Sequence, residues 1–147
     1  MRIARTMLLL LVACIAVGCS TNRPAYTPVQ AGDDAVIYLY RTGNLAGAVT
    51  SLPLRVDGQL AGTLKNDMYT YAIVPPGEYL VSSETSSDIS ELRVTTERGT
   101  AYYVRADVIR GLLSGRPRLT LVVPSAGRIE VAGTSFAGTA LAPTSPE

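Results

Sequence analysis

The chain has 147 residues, 47% of them hydrophobic, with 13 Lys and Arg against 12 Asp and Glu, no His and two Cys, about the size of one domain. A charged fraction of 17% and a net charge of +1 leave no basic excess to neutralise phosphates and release their counterions, which excludes a nucleic-acid binder. The absence of His removes the commonest general base and metal ligand, and with it triad hydrolases and most zinc chemistry.

The first element is a processing signal. Arg2 and Arg5 precede the apolar run from Met7 to Val17, which ends at Gly18 and Cys19. Eleven apolar residues suit the hydrophobic region of a signal peptide and fall short of the roughly 20 that a membrane-spanning helix needs. Ala16-Val17-Gly18-Cys19 resembles the bacterial lipobox, with Ala16 where Leu is usual. Residues 1–18 are therefore expected to be removed, leaving Cys19 as the lipid-attachment residue, carrying a diacylglycerol and an N-acyl chain. Two or three acyl chains make such an anchor effectively permanent. Cys14 leaves with the signal and Cys19 becomes a thioether, so no thiol remains for a disulfide or a metal. Loss of Arg2 and Arg5 takes 13 basic residues to 11 against 12 acidic, a net charge of −1. In bacterial lipoproteins resembling this one, an Asp after the Cys holds the protein at the inner membrane. Ser20 in that position predicts the outer membrane, facing the periplasm, with the periplasmic face of the inner membrane as the alternative.

Residues 19–34 read as the lipidated Cys and a flexible tether, with two prolines and no hydrophobic period. As a coil, Ser20 to Asp34 would average about 20 Å, and about 50 Å fully extended. Residues 35–132 alternate apolar and polar positions with turn signals every eight to twelve residues, which predicts an all-β domain without helical spacing. Ala35 to Tyr40 is apolar enough for a strand buried on both faces. Leu52, Leu54 and Val56 alternate up to the Asp57-Gly58 hairpin turn, and Leu60 to Leu64 returns as far as Asn66-Asp67. Met68 to Val74 ends at Pro75-Pro76-Gly77, where the prolines remove ladder donors. Tyr79 and Val81 open a strand that fades into the polar loop Ser82 to Asp88, and Leu92 and Val94 follow up to Glu97-Arg98-Gly99. Tyr102, Val104, Ala106 and Val108 face inward, and Leu119, Leu121 and Val123 form the last strand. Seven or eight such strands make an antiparallel β-sandwich. Residues 133–147, rich in Gly, Ala, Ser, Thr and Pro, predict a disordered tail.

In this order, Val36-Ile37-Tyr38-Leu39-Tyr40-Arg41, Val56-Asp57-Gly58, Tyr71 to Tyr79 with its Pro-Pro-Gly, Gly99-Thr100-Ala101-Tyr102-Tyr103-Val104-Arg105 and Leu119 to Val123 resemble the bacterial lipoprotein family of domain of unknown function 2846. The resemblance covers about Ala35 to Val131 together with the anchor. It implies a transthyretin-like or carboxypeptidase-regulatory-like sandwich and carries no activity with it.

Few residues suggest chemistry. Ser135 lacks the strand-to-helix elbow and the base that a nucleophile needs. Carboxylates for glycoside hydrolysis must face each other about 5–9.5 Å apart. Asp33 with Asp34, or Asp107 with Glu78 or Glu84, are the available pairs, each more simply read as turn or surface residues. Seven of the eight tyrosines fall in predicted strands, where alternation puts Tyr102 inside and Tyr103 outside. Tyr103 beside Arg105 is thus the best ligand-contact candidate, set against an ordinary cross-strand pair. In the loop from Arg110 to Arg118, Leu112 and Leu113 lie between glycines and are flanked by Arg110, Arg116 and Arg118. Such a tip would enter anionic lipid or a partner's pocket, or fold back over the sandwich's end. The resulting expectation is a non-enzymatic, membrane-anchored envelope module whose partners are the membrane, through its lipid, and an envelope protein, with no nucleic acid, metal or other cofactor. A carbohydrate- or peptidoglycan-binding module using the tyrosines is the alternative, and a carboxylate hydrolase ranks last.

Overall fold

The computed structural model describes residues 26–44, 49–110 and 115–142. Among the described residues, nine strands and one helix follow in order: β1 (Ala35–Arg41), β2 (Leu52–Val56), β3 (Gln59–Leu64), β4 (Met68–Val74), β5 (Gly77–Glu84), β6 (Ile89–Thr96), β7 (Ala101–Arg110), β8 (Gly115–Val122), α1 (Pro124–Ala132) and β9 (Ser135–Phe136). The strands form two sheets, β8-β7-β1-β4-β9 and β3-β2-β5-β6. The fold is a β-sandwich. Most neighbours are antiparallel, but β1 runs parallel to β7 and β9 parallel to β4, a departure from a wholly antiparallel arrangement.

Local chemistry accounts for the strand ends. Asp57 and Gly58 both take positive φ, 47° and 78°, the conformation that lets a two-residue turn follow the twist of its strands. The Asp57 carboxylate also accepts the Leu80 N–H at 2.8 Å, tying the β2–β3 hairpin to β5. Pro75 and Pro76 offer no ladder donors, and there the chain leaves one sheet for the other. The Pro75 carbonyl accepts the Tyr79 hydroxyl at 2.8 Å.

The core lies between the sheets, built from Ile37, Leu39, Leu52, Leu54, Val56, Val81, Val94, Val104 and Ala106 among others. Burying an aliphatic side chain of this kind stabilises by about 1.5–3 kcal/mol. Both flanks are fastened. The Leu119 N–H donates to the Ser90 hydroxyl at 3.1 Å, and Arg116 pairs with Asp88 at 3.1 Å, so β8 meets β6. On the other side the Thr70 hydroxyl, on β4, faces the carbonyls of Ala61 and Thr139.

Three expectations need correction. The residues from Pro124 to Ala132 are helical, although no apolar period announces it. Nine residues with only Gly127 and Val131 buried are too few to show one, and the usable signal was Pro124 at the first helical position. The tail is ordered as far as Ala142: β9 pairs with Met68 and Tyr69, and Leu141 bridges to Ala72. Its small residues allow a close approach to β4, which propensity does not reveal. The tether also folds, because Tyr26, Val29 and Ala31 pack on the outer face of the five-stranded sheet.

Candidate functional site

Alternation along β1 sends Ile37 and Leu39 into the sandwich and Val36, Tyr38 and Tyr40 to the outer face of the five-stranded sheet. That face is a second apolar layer. Tyr38, Tyr40 and Tyr103 form it with Val36 and Val131, and Tyr69 and Tyr71 pack at its margin. Tyr38 stacks on Tyr103 with centroids 5.1 Å apart and planes at 11°. Phe136 packs against Tyr69 and Tyr71 at 5.4 and 5.7 Å. Tyr26 closes the layer edge-on, 5.7 Å from Tyr38 and 5.8 Å from Tyr69. Aromatic pairs in such arrangements add about 0.5–1.5 kcal/mol beyond their buried area.

The helix α1 is the lid of this layer. A Cβ on Gly127 would stand 2.4 Å from the Tyr103 ring, so only glycine lets the helix approach this closely. Glu130 then reaches down, accepting the Tyr40 hydroxyl at 2.8 Å and the Arg105 guanidinium at 3.2 Å. Arg105 also donates to Asp107 at 3.1 Å. Burial alone would lower the Arg105 pKa, but the Asp107 and Glu130 carboxylates raise it on balance. Burial and the bond to Glu130 push the Tyr40 hydroxyl well above the usual tyrosine range. The Tyr26 hydroxyl is buried without a hydrogen-bond partner. Burial, with the neighbouring Tyr38 and Tyr103 hydroxyls, raises its pKa strongly too.

This geometry corrects the reading of Tyr103. It lies on the outer face, as alternation requires, but only 2% of it is exposed, because α1 covers it. Arg105 is partly exposed and committed to two carboxylates. Arg110 pairs with Gly115 at the end of β7. Arg116 pairs with Asp88 at the molecule's edge, while Arg118 is exposed on the outer face opposite Asp107. Leu112 and Leu113 lie outside the described residues, as do Cys19 and Ser20. Asp33 pairs with Arg98 at 2.9 Å. Asp107 is on one sheet and Glu78 and Glu84 are on the other, so these carboxylates are not brought together.

Two features escaped sequence reasoning. Arg41 is fully buried and donates to the Thr50 carbonyl, holding the start of β2. Its parity with Ile37 and Leu39 was the available signal. The sandwich also has an open apolar end, a groove of about 260 Å³ lined by Thr100, Ala101, Tyr102 and the segment Leu121 to Pro124. Leu121, opposite core residue Val104 on β7, stays 47% exposed, and Val123 is 65% exposed.

The family described as "Protein of unknown function (DUF2846)" matches residues 31–115. The chain belongs to this family. The match takes in β1 to β7 and ends where β8 begins, leaving α1 and β9 beyond it. An "Uncharacterized protein" of Haemophilus influenzae (strain ATCC 51907 / DSM 11121 / KW20 / Rd) is 26% identical over 133 residues, covering 88% of this chain and 79% of the relative. No solved structure matches the chain.

Proposed function

We propose that this DUF2846 protein is a lipid-anchored module of the bacterial cell envelope. It is held through Cys19 at the periplasmic face of the outer membrane and binds a neighbouring protein without catalysing a reaction. The observation that carries this reading is the order Arg2 and Arg5, an eleven-residue apolar run, Gly18 and Cys19, placed seven residues before Tyr26, which packs on the sheet. Among the described residues no helix is long and apolar enough to cross a membrane, so on this reading attachment falls to the lipid. Confinement near the bilayer raises the effective concentration of the module for its neighbours, and a small interface then suffices. The open apolar end, with Tyr102, Leu121 and Val123, is the surface suited to receive a partner's apolar side chain.

Metabolic labelling with radioactive palmitate tests the anchor. The wild-type protein should take up label and fractionate with outer membranes, and Cys19→Ala should lose both properties. An unlabelled wild-type protein, or a mature chain that starts elsewhere than residue 19, would overturn the reading. A photo-crosslinker at position 121 should trap one envelope protein reproducibly, and the adduct should disappear in Val123→Glu. An adduct that survives this substitution would remove the groove from the interface.

In the sugar-binding alternative the contacts would fall to the partly exposed Tyr69, Tyr71, Tyr79 and Tyr102, since Tyr38, Tyr40 and Tyr103 are buried.

A further inference from the structure

We infer that the outer face of the five-stranded sheet, with α1 laid across it, rests against an anionic bilayer surface. This rests on the lipid anchor at Cys19 proposed above. The first argument is the leash. Tyr26 is fixed between Tyr38 and Tyr69 in the middle of that face, and seven residue steps separate it from Cys19. Seven residues extend to about 25 Å at most. A domain of this size is about 34 Å across. To turn the four-stranded sheet to the bilayer, the leash would have to pass round the flank, a path of about 50 Å for a body of that diameter. It is half that length, which rules out the orientation with the four-stranded sheet against the membrane.

The second argument is the chemistry of that face. On α1 the buried positions are Gly127 and Val131. Ile129, two residues from each, points the opposite way by helical geometry and is 75% exposed. Phe136, beside Tyr69 and Tyr71, is 42% exposed. The two carboxylates of this face, Asp107 and Glu130, are both bound to Arg105, while Arg118 and Arg128 are exposed and give it a positive surplus. The opposite sheet is different: Glu78 pairs with Arg93 and Glu84 with Arg55, and exposed Glu91 is matched by exposed Lys65, so no positive surplus remains there. Basic residues held at an anionic surface each contribute on the order of 1 kcal/mol, or about fivefold.

The absence of Trp from the chain makes the test clean. Full-length lipidated protein carrying either Ile129→Trp or Glu91→Trp is reconstituted into phosphatidylglycerol vesicles whose acyl chains are brominated. Flotation reports the anchor, and quenching reports which face touches lipid. Both variants should float, with emission at position 129 quenched at least twofold and emission at position 91 unchanged. Adding Arg118→Glu and Arg128→Glu should leave flotation intact and lower occupancy of the docked state roughly tenfold or more, so that quenching at 129 falls to the level at 91. Floating protein with equal quenching at both positions, or with more at 91, would overturn the orientation while the anchor stands. Protein that does not float would overturn the anchor and the orientation together.

Discussion

The Tyr26 hydroxyl is buried among rings without a hydrogen-bond partner, whereas that of Tyr40 donates to Glu130. The two tyrosines should therefore respond oppositely to loss of the oxygen. Tyr26→Phe is expected to leave stability unchanged or raise it by up to about 1 kcal/mol. Tyr40→Phe should lower it by about 1–2 kcal/mol, because a bond to a charged acceptor is lost. Urea-denaturation midpoints decide between these outcomes. Both hydroxyls have raised pKa values in the folded state, chiefly through burial. Above about pH 10 the unfolded chain releases these protons and the folded chain retains them, so stability is complete below that pH and falls as pH rises further. The melting temperature should drop between pH 9 and pH 11, and less steeply in Tyr26→Phe. The alternation of β7 was enough to place Tyr103 on the outer face and Tyr102 on the inner. What covers the outer face was not legible, because the covering residues lie in segments with no period of their own.

The helix α1 and strand β9 were the elements hidden from pattern reading, and both are held by contacts with distant strands. Gly127→Ala puts a methyl group into the Tyr103 ring. It should cost about 1–3 kcal/mol, as overpacking does, and alter the near-ultraviolet circular dichroism of the tyrosine layer. A disordered tail would leave stability indifferent to its removal. With β9 seated on β4 and Leu141 against the core, deletion of residues 135–147 should instead cost about 2–4 kcal/mol, or roughly 8–15 °C in melting temperature. By contrast β1 to β7 were readable in order, because Asp57-Gly58, Pro75-Pro76 and Gly99 carry their turn chemistry in the residues themselves. Strand pairing was not readable. The parallel contact of β1 with β7 joins residues some 65 positions apart, Val36 with Ala101, and no local signal encodes it.

For the molecule as a whole, the packing of Tyr26, Val29 and Ala31 on the sheet leaves seven residue steps between Cys19 and the sheet, about 25 Å of maximum reach in place of about 50 Å, and the proposed orientation rests on that difference. If Ser20 directs sorting, Ser20→Asp should shift the protein from the outer to the inner membrane fraction on a density gradient, with total amount and melting temperature unchanged. An unchanged distribution would discredit that role. The sequence alone determined the all-β class, the order of β1 to β7 and the inward side of β1, β2 and β7, since all of these are written in neighbouring residues through period and turn chemistry. Tertiary structure alone decided that the tyrosines are covered, that Arg105 is committed to Glu130 and Asp107, and that one end of the sandwich is left open. These depend on which distant segments come to lie against a face, and burial is a property of the packed assembly that no stretch of sequence carries by itself.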